Sequence, residues 1–227
     1  NIILLFLFIG ISHGQIEYGF DFSKSGSAGF QFLMIETNAL SAGLSGASST
    51  IKSGAKGSFD NVSTITGTNQ FSISMSNARW LAGSNLNSAA LSIRRGNNVY
   101  GLGILSFNIS SFEETTVSNP MGTGRKVSAG NSLLGLTIAR NFTDKLSLGA
   151  HIKYVEELLD DYKYSNFMVD IGSFYKTGFR NLNLAFVFQN LGPDITPINT
   201  KFRSPMLFRL GASDDIFRND FLKMKLL

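Results

Sequence analysis

The side chains that could do chemistry are few. His151 lies in the stretch DKLSLGAHIKYVE, and the only other histidine is His13. A lone imidazole, with no G-x-S-x-G elbow, H-E-x-x-H helix or P-loop, supplies no activated nucleophile, zinc pair or phosphate cradle. Cysteine is absent, which removes disulfides, thiolate metal sites and thiol nucleophiles together. The acidic segment Glu156-Glu-Leu-Leu-Asp-Asp161 gathers four carboxylates in six residues. Clustered oxygens suit a hard cation such as calcium. The expected role of Glu156, Glu157, Asp160 and Asp161 is nevertheless a solvated external loop that meets a partner. No enzyme, metal or cofactor is expected.

A strand must carry His151. Leu146, Leu148, Ala150, Ile152 and Tyr154 alternate with Lys145, Ser147, Gly149, His151 and Lys153, and a period of two sends the two sets to opposite faces. The same alternation predicts strands at roughly 70–76, 87–94, 98–109, 131–140, 145–155, 166–177, 181–190, 205–213 and from 219 onward. Across four of these strands the apolar face holds 18 positions, from Leu146 to Ala212, without a charge. The opposite face carries Lys145, His151, Lys153, Asp170, Lys176, Gln189 and Arg209, mixed with Gly149, Gly172 and Gly211. Gly101-Leu-Gly103 falls inside a strand, where it relieves crowding or permits a bend.

The connections sort by length. Residues 95–97, 141–144, 178–180 and 214–219 are short, and 110–130, 156–165 and 191–204 are long, in strict alternation. Outer-membrane barrels place tight turns on the periplasmic side and longer loops outside. Phe167 and Tyr175, near the two ends of one apolar face, lie about 26 Å apart along a strand, or roughly 20 Å in membrane height, which suits two aromatic girdles. A soluble sandwich or a lipocalin-like barrel would share the alternation but not the sorted connections.

Export is expected as well. Residues 1–11 read NIILLFLFIGI and are followed by Ser12-His13-Gly14, an apolar core and small-residue cleavage site without the charged start of a signal peptide. The alternative for residues 1–14 is a buried strand or helix. Residues 15–66 are rich in Gly, Ser, Ala and Thr, and 67–227 carry the strands. Hydrophobic residues make up 43% and charged residues 16% of the chain, yet no run is long and apolar enough for a spanning helix. The net charge of +4 is evenly spread, which argues against nucleic acid as a partner. The expectation is an all-β, antiparallel transmembrane barrel in a bacterial outer membrane. Lipid meets its apolar face, and Lys145, His151, Lys153, Asp170, Lys176 and Arg209 line its lumen. Trp80 is either an interfacial anchor or a residue packed against a plug.

Several runs resemble one family. They are Gly26-Ser-Ala-Gly-Phe-Gln-Phe-Leu-Met-Ile35, Gly122-Thr-Gly124, LTIARNFTDKLSLGAHIKY from Leu136 to Tyr154, FMVDIGSFYKTG from Phe167 to Gly178, and Phe188-Gln-Asn-Leu-Gly192. Together, over roughly residues 26–213, they resemble the PorV/PorQ-like outer-membrane proteins, relatives of the FadL transporters. Where the family has an Asn-Pro-Ala-Gly-like element, residues 59–65 keep Asn61 and lack the Pro and Gly. Its arginine and Gly-Met-Gly pattern is replaced by residues 38–46.

The resemblance implies a 14-stranded barrel with the N-terminal segment, 15–66, entering the lumen as a hatch. Only about nine strands are visible, and the terminal KMKLL lacks an aromatic-ended last strand. C-terminal truncation is the expectation, because an open barrel leaves unpaired edges in lipid. Two functions follow from the likeness. One is an accessory role in type IX secretion, receiving exported cargo proteins. The alternative is FadL-like passage of hydrophobic small molecules such as long-chain fatty acids. Phe30, Phe32 and Leu33 of the hatch would pack inside the barrel, or contact such a ligand.

Overall fold

A computed structural model describes residues 28–196, 202–218 and 223–226. The expected signal peptide, and the hatch residues before 28, lie outside these.

All nine expected strands form: β1 (Phe71–Arg79), β2 (Asn85–Arg95), β3 (Asn98–Glu113), β4 (Lys126–Asn141), β5 (Leu146–Leu159), β6 (Tyr162–Lys176), β7 (Asn183–Leu191), β8 (Leu207–Arg218) and β9 (Lys223–Leu226). Each pairs antiparallel with the next in one sheet. Among the described residues β1 pairs only with β2 and β9 only with β8, so the sheet is open. No described helix is long and apolar enough to cross a membrane.

The strands outrun the expected boundaries at one end. The segment expected as an acidic loop is mostly ladder: Glu156 opposes Ser165, and Leu159 opposes Tyr162 across a turn at Asp160 and Asp161. Continuing the ladder satisfies the backbone N–H and C=O groups. Arg125 joins adjacent hairpins by pairing with Asp160 and Asp161, while Arg125 with Glu114 and Lys163 with Glu156 at 2.9 Å pair within a hairpin.

The two faces differ sharply. Outward residues form continuous cross-strand rows: Met75–Ala89–Ile104–Leu134–Tyr154–Phe167 and Ile73–Leu91–Leu102–Leu136–Ile152–Val169. A third runs Phe71–Ile93–Tyr100–Ile138–Ala150–Ile171–Phe188–Phe208. Above them lies a polar row, Asn77–Asn87–Ser106–Ser132–Glu156–Ser165. Below them Arg95, Asn98 and Arg140 share a row with Leu148, Ser173, Phe186 and Leu210. The apolar band therefore crosses the rows obliquely. Leu136 and Ile152 are 65% and 59% exposed, whereas inward His151, Lys153 and Asp170 are 1%, 4% and 1% exposed.

What buries the inward face is the N-terminal segment, 28–68. Its pieces are short: a 3-10 turn at Gln31–Met34, a helix at Ala39–Gly43 and 3-10 turns at Gly54–Ser58 and Val62–Gly67. Inward glycines admit its backbone; a Cβ on Gly149 would stand 2.8 Å from the Val62 carbonyl carbon. Ser49 abuts Gly211 of β8, and Gly54 abuts Ser72 of β1. The backbone between Ser49 and Gly54 reaches at most ~18 Å. Seven strand spacings in a flat sheet would need ~34 Å, so the sheet is rolled around the segment.

Candidate functional site

Inside the roll, β5, β6 and β7 bring charged groups together. Lys153 donates to Asp170 at 2.8 Å and also to Asn190 Oδ1. The β6–β7 ladder slips between Val169 and Ile171, and Asn190 adopts a left-handed φ of 61°. The bulge turns Asn190 toward Asp170, as bulges commonly re-aim side chains. Its backbone N–H donates to Asp170 Oδ1 at 2.7 Å and its Nδ2 to the Pro205 carbonyl at 2.9 Å. The Asp170 carboxylate is thereby held by a cation and an amide.

His151 sits beside this pair but joins it loosely, 3.8 Å from Asp170. Its Nδ1 donates to the Ser58 carbonyl at 2.8 Å, so a proton sits on that nitrogen. Among the described residues no group satisfies its Nε2, which points over Gly135, where a Cβ would overlap it.

The N-terminal segment closes the site from the other side. Gln189 Nε2 donates to the Phe59 carbonyl at 2.9 Å, and Arg209 to Glu36 at 2.9 Å. Glu36 also accepts from Ser41 Oγ. Asp60 accepts from Asn38 Nδ2 at 3.0 Å and Ser48 Oγ at 3.2 Å. Burial, and then the charge of Glu36, raise its pKa above the usual carboxylate range. Asn61 caps the turn that begins at Val62, accepting from the Ser63 N–H at 3.1 Å. Its Nδ2 donates to the carbonyls of Ser49 at 2.7 Å and Ser173 at 3.1 Å, tying the segment to β6.

These groups enclose a cavity of about 20 Å³, room for a water molecule and little more. The arrangement fixes charge and anchors one element to another. No hydroxyl among the described residues is hydrogen-bonded to the His151 ring. Among the described residues no cluster of His, Asp and Glu could hold a metal ion.

Of the residues expected in a lumen, His151, Lys153, Asp170 and Arg209 meet around this cavity. Lys145 and Lys176 do not; they lie exposed at the short-turn end. Phe30 and Phe32 are buried in an apolar cluster with Leu86, Leu105, Phe107, Leu133, Val155 and Met168. Leu33 packs against that cluster and lines the polar cavity. The acidic residues separate. Glu156 faces outward toward Lys163, and Glu157 faces inward to accept from the Phe30 N–H at 2.9 Å. Asp160 and Asp161 both take Arg125. Glu36, Ser58, Asp60 and Asn190 were not anticipated; the repeated glycines on the polar face were the available signal that another backbone approaches there. No protein-family model matches the chain, and no curated protein matches it.

Proposed function

We propose that this chain forms part of a bacterial outer-membrane β-barrel without enzymatic activity, an accessory that receives exported proteins as the PorV/PorQ likeness implies. The observation that carries this reading is the inverted sheet, apolar outside and charged or glycine-rich inside. In water such a sheet would leave Leu136, Ile152 and their neighbours unburied, whereas lipid suits them. Between flanking polar residues the band covers about eight residues, about 27 Å along a strand and roughly 20 Å in height after tilting. Residues 28–68 then act as the hatch.

A receiver is favoured over a channel for hydrophobic solutes by the packing of the hatch phenylalanines among the described residues. Phe30 and Phe32 are closed within their cluster, and the cavity beside them is polar and water-sized. The hairpins of β3–β6 run beyond the apolar band and form an ion-paired crown for a folded partner.

The two parts of the reading are tested separately. Leu136→Arg and Asn87→Arg both alter exposed outward positions, and in water each would change stability by no more than about 0.5 kcal/mol. In lipid Leu136→Arg is expected to cost about 2–4 kcal/mol and Asn87→Arg far less, read as loss of heat-modifiable gel migration. Equal tolerance at the two sites would remove the membrane. For the receiving role, shortening 114–125 is expected to reduce co-purification of exported proteins, while Phe30→Leu with Phe32→Leu is not. Fatty-acid uptake lost only in the phenylalanine variants, with no cargo recovered by any version, would turn the reading into transport.

A further inference from the structure

The short-turn end of the roll collects cations that the polar cluster does not use. Lys145 and Lys176 are neighbours across β5 and β6, with the Lys176 N–H donating to the Lys145 carbonyl at 2.8 Å. Tyr175 points outward, so Lys176 takes the inward side of β6, and Lys145, in the turn before β5, sets its Nζ beside Gly178. One row deeper, Lys52 of the N-terminal segment donates to Ser147 Oγ at 3.2 Å and lies 4.9 Å over the Phe174 ring. Ser147 and Phe174 are themselves a cross-strand pair. Arg94 approaches from β2, its guanidinium donating to the carbonyls of Thr66, Thr68 and Gly96 rather than to a carboxylate.

The compensating negative charge is sparse. Among the described residues neither Lys145 nor Lys176 has a carboxylate within ion-pair distance. Arg180 at the edge is already paired with Asp214 at 3.5 Å. Asp215 lines the same cleft and has its own contacts. The crowding is felt by Lys52, whose pKa is lowered to about 8 by burial first and then by the charges of Lys176 and Arg94. Like charges gathered on a concave wall repel one another and raise the local concentration of anions.

The cleft that holds Lys145 and Lys176 has a volume of about 370 Å³ and also presents Asn183. Pockets for small ligands begin at roughly this size. We propose that this cleft binds a phosphate-bearing anion through Lys145 and Lys176, with Lys52 behind them. A phosphate group carries more charge than a single carboxylate and offers several acceptor oxygens to the two lysines that line the cleft. The cleft lies just past the outward row Leu146–Tyr175–Leu184–Ala212. A free phosphate and a phospholipid headgroup can both reach it.

Isothermal titration of inorganic phosphate into the detergent-purified protein at low salt examines the free ligand. Titration with phosphatidylglycerol in neutral micelles examines the headgroup. Binding is expected in at least one arm, weakened about tenfold or more by Lys145→Gln with Lys176→Gln. Lys126→Gln with Lys163→Gln, at the opposite end, is expected to leave it unchanged. Heat-modifiable migration checks assembly, and Lys52→Gln serves as a second probe should the double variant fail to assemble. No binding in either arm, or equal weakening by both pairs of substitutions, would overturn the proposal.

Discussion

Leu136 and Ile152 oppose each other on the outward face at 65% and 59% exposure, while Lys153, one residue along β5, is 4% exposed. A protein surrounded by water gains about 1.5–3 kcal/mol for each large apolar side chain it buries, and this sheet forgoes that gain over row after row. It buries instead the groups that are costly to desolvate, and satisfies them with one another and with residues 28–68. The lesson is one of division of labour. The inward face specifies one docked position through directional bonds, and the outward face leaves large apolar side chains exposed.

The sharpest way to break that comparison is Lys153→Met, which leaves Asp170 buried without its cation. The expected cost is about 3–5 kcal/mol in denaturant unfolding; a loss below about 1 kcal/mol would put water on the inner face. Gly135→Ala comes next. Its Cβ would meet the His151 ring, which is held to the Ser58 carbonyl and has little room to move, so about 1–3 kcal/mol is expected. Ser106→Ala, in the outward polar row, is the control expected to do almost nothing.

Acid titration sharpens the same contrast by a smaller effect. Asp60 has a raised pKa, so the folded state holds its proton to higher pH than the unfolded chain does. Stability falls as pH rises from the unfolded pKa through the raised folded one, and the loss is complete above it. Asp60→Asn is expected to flatten that limb; an unchanged slope would exclude Asp60 as its source. Arg125→Ala, on the exposed crown, has a small expected effect, above only the Ser106→Ala control. It should disappear as salt is raised, because exposed ion pairs are screened; a salt-resistant loss would show the crown to be built like the interior.

The strands and their faces were legible because side-chain direction alternates with chain position, so Ile152 and Lys153 announce opposite surroundings. The ends of β5 and β6 were not. Glu156 to Asp161 look like a loop by composition, but the ladder continues wherever the partner strand continues, and composition does not reveal the partner's length. Lys153 and Asp170 were both placed on the polar face, yet their pairing depends on register and on the slip at Asn190. Glu36 and Ser58 were hidden for another reason. The segment that carries them has no periodicity, and its path is set by the glycines opposite it.

The bonds from the N-terminal segment to the sheet also dictate an order of events. The Phe30 N–H meets Glu157 over 127 residues of chain, the Phe59 carbonyl meets Gln189 over 130, and Glu36 meets Arg209 over 173. Contacts of such separation form slowly, because loop closure must come before any reward. Hairpins between neighbouring strands form locally and far sooner. The segment that precedes the strands is therefore completed last, because its Glu36 has no arginine to meet until β8 exists. Assembly runs against the direction of synthesis, and a chain stopped before β8 would keep its hairpins but lack the arginine that fastens Glu36.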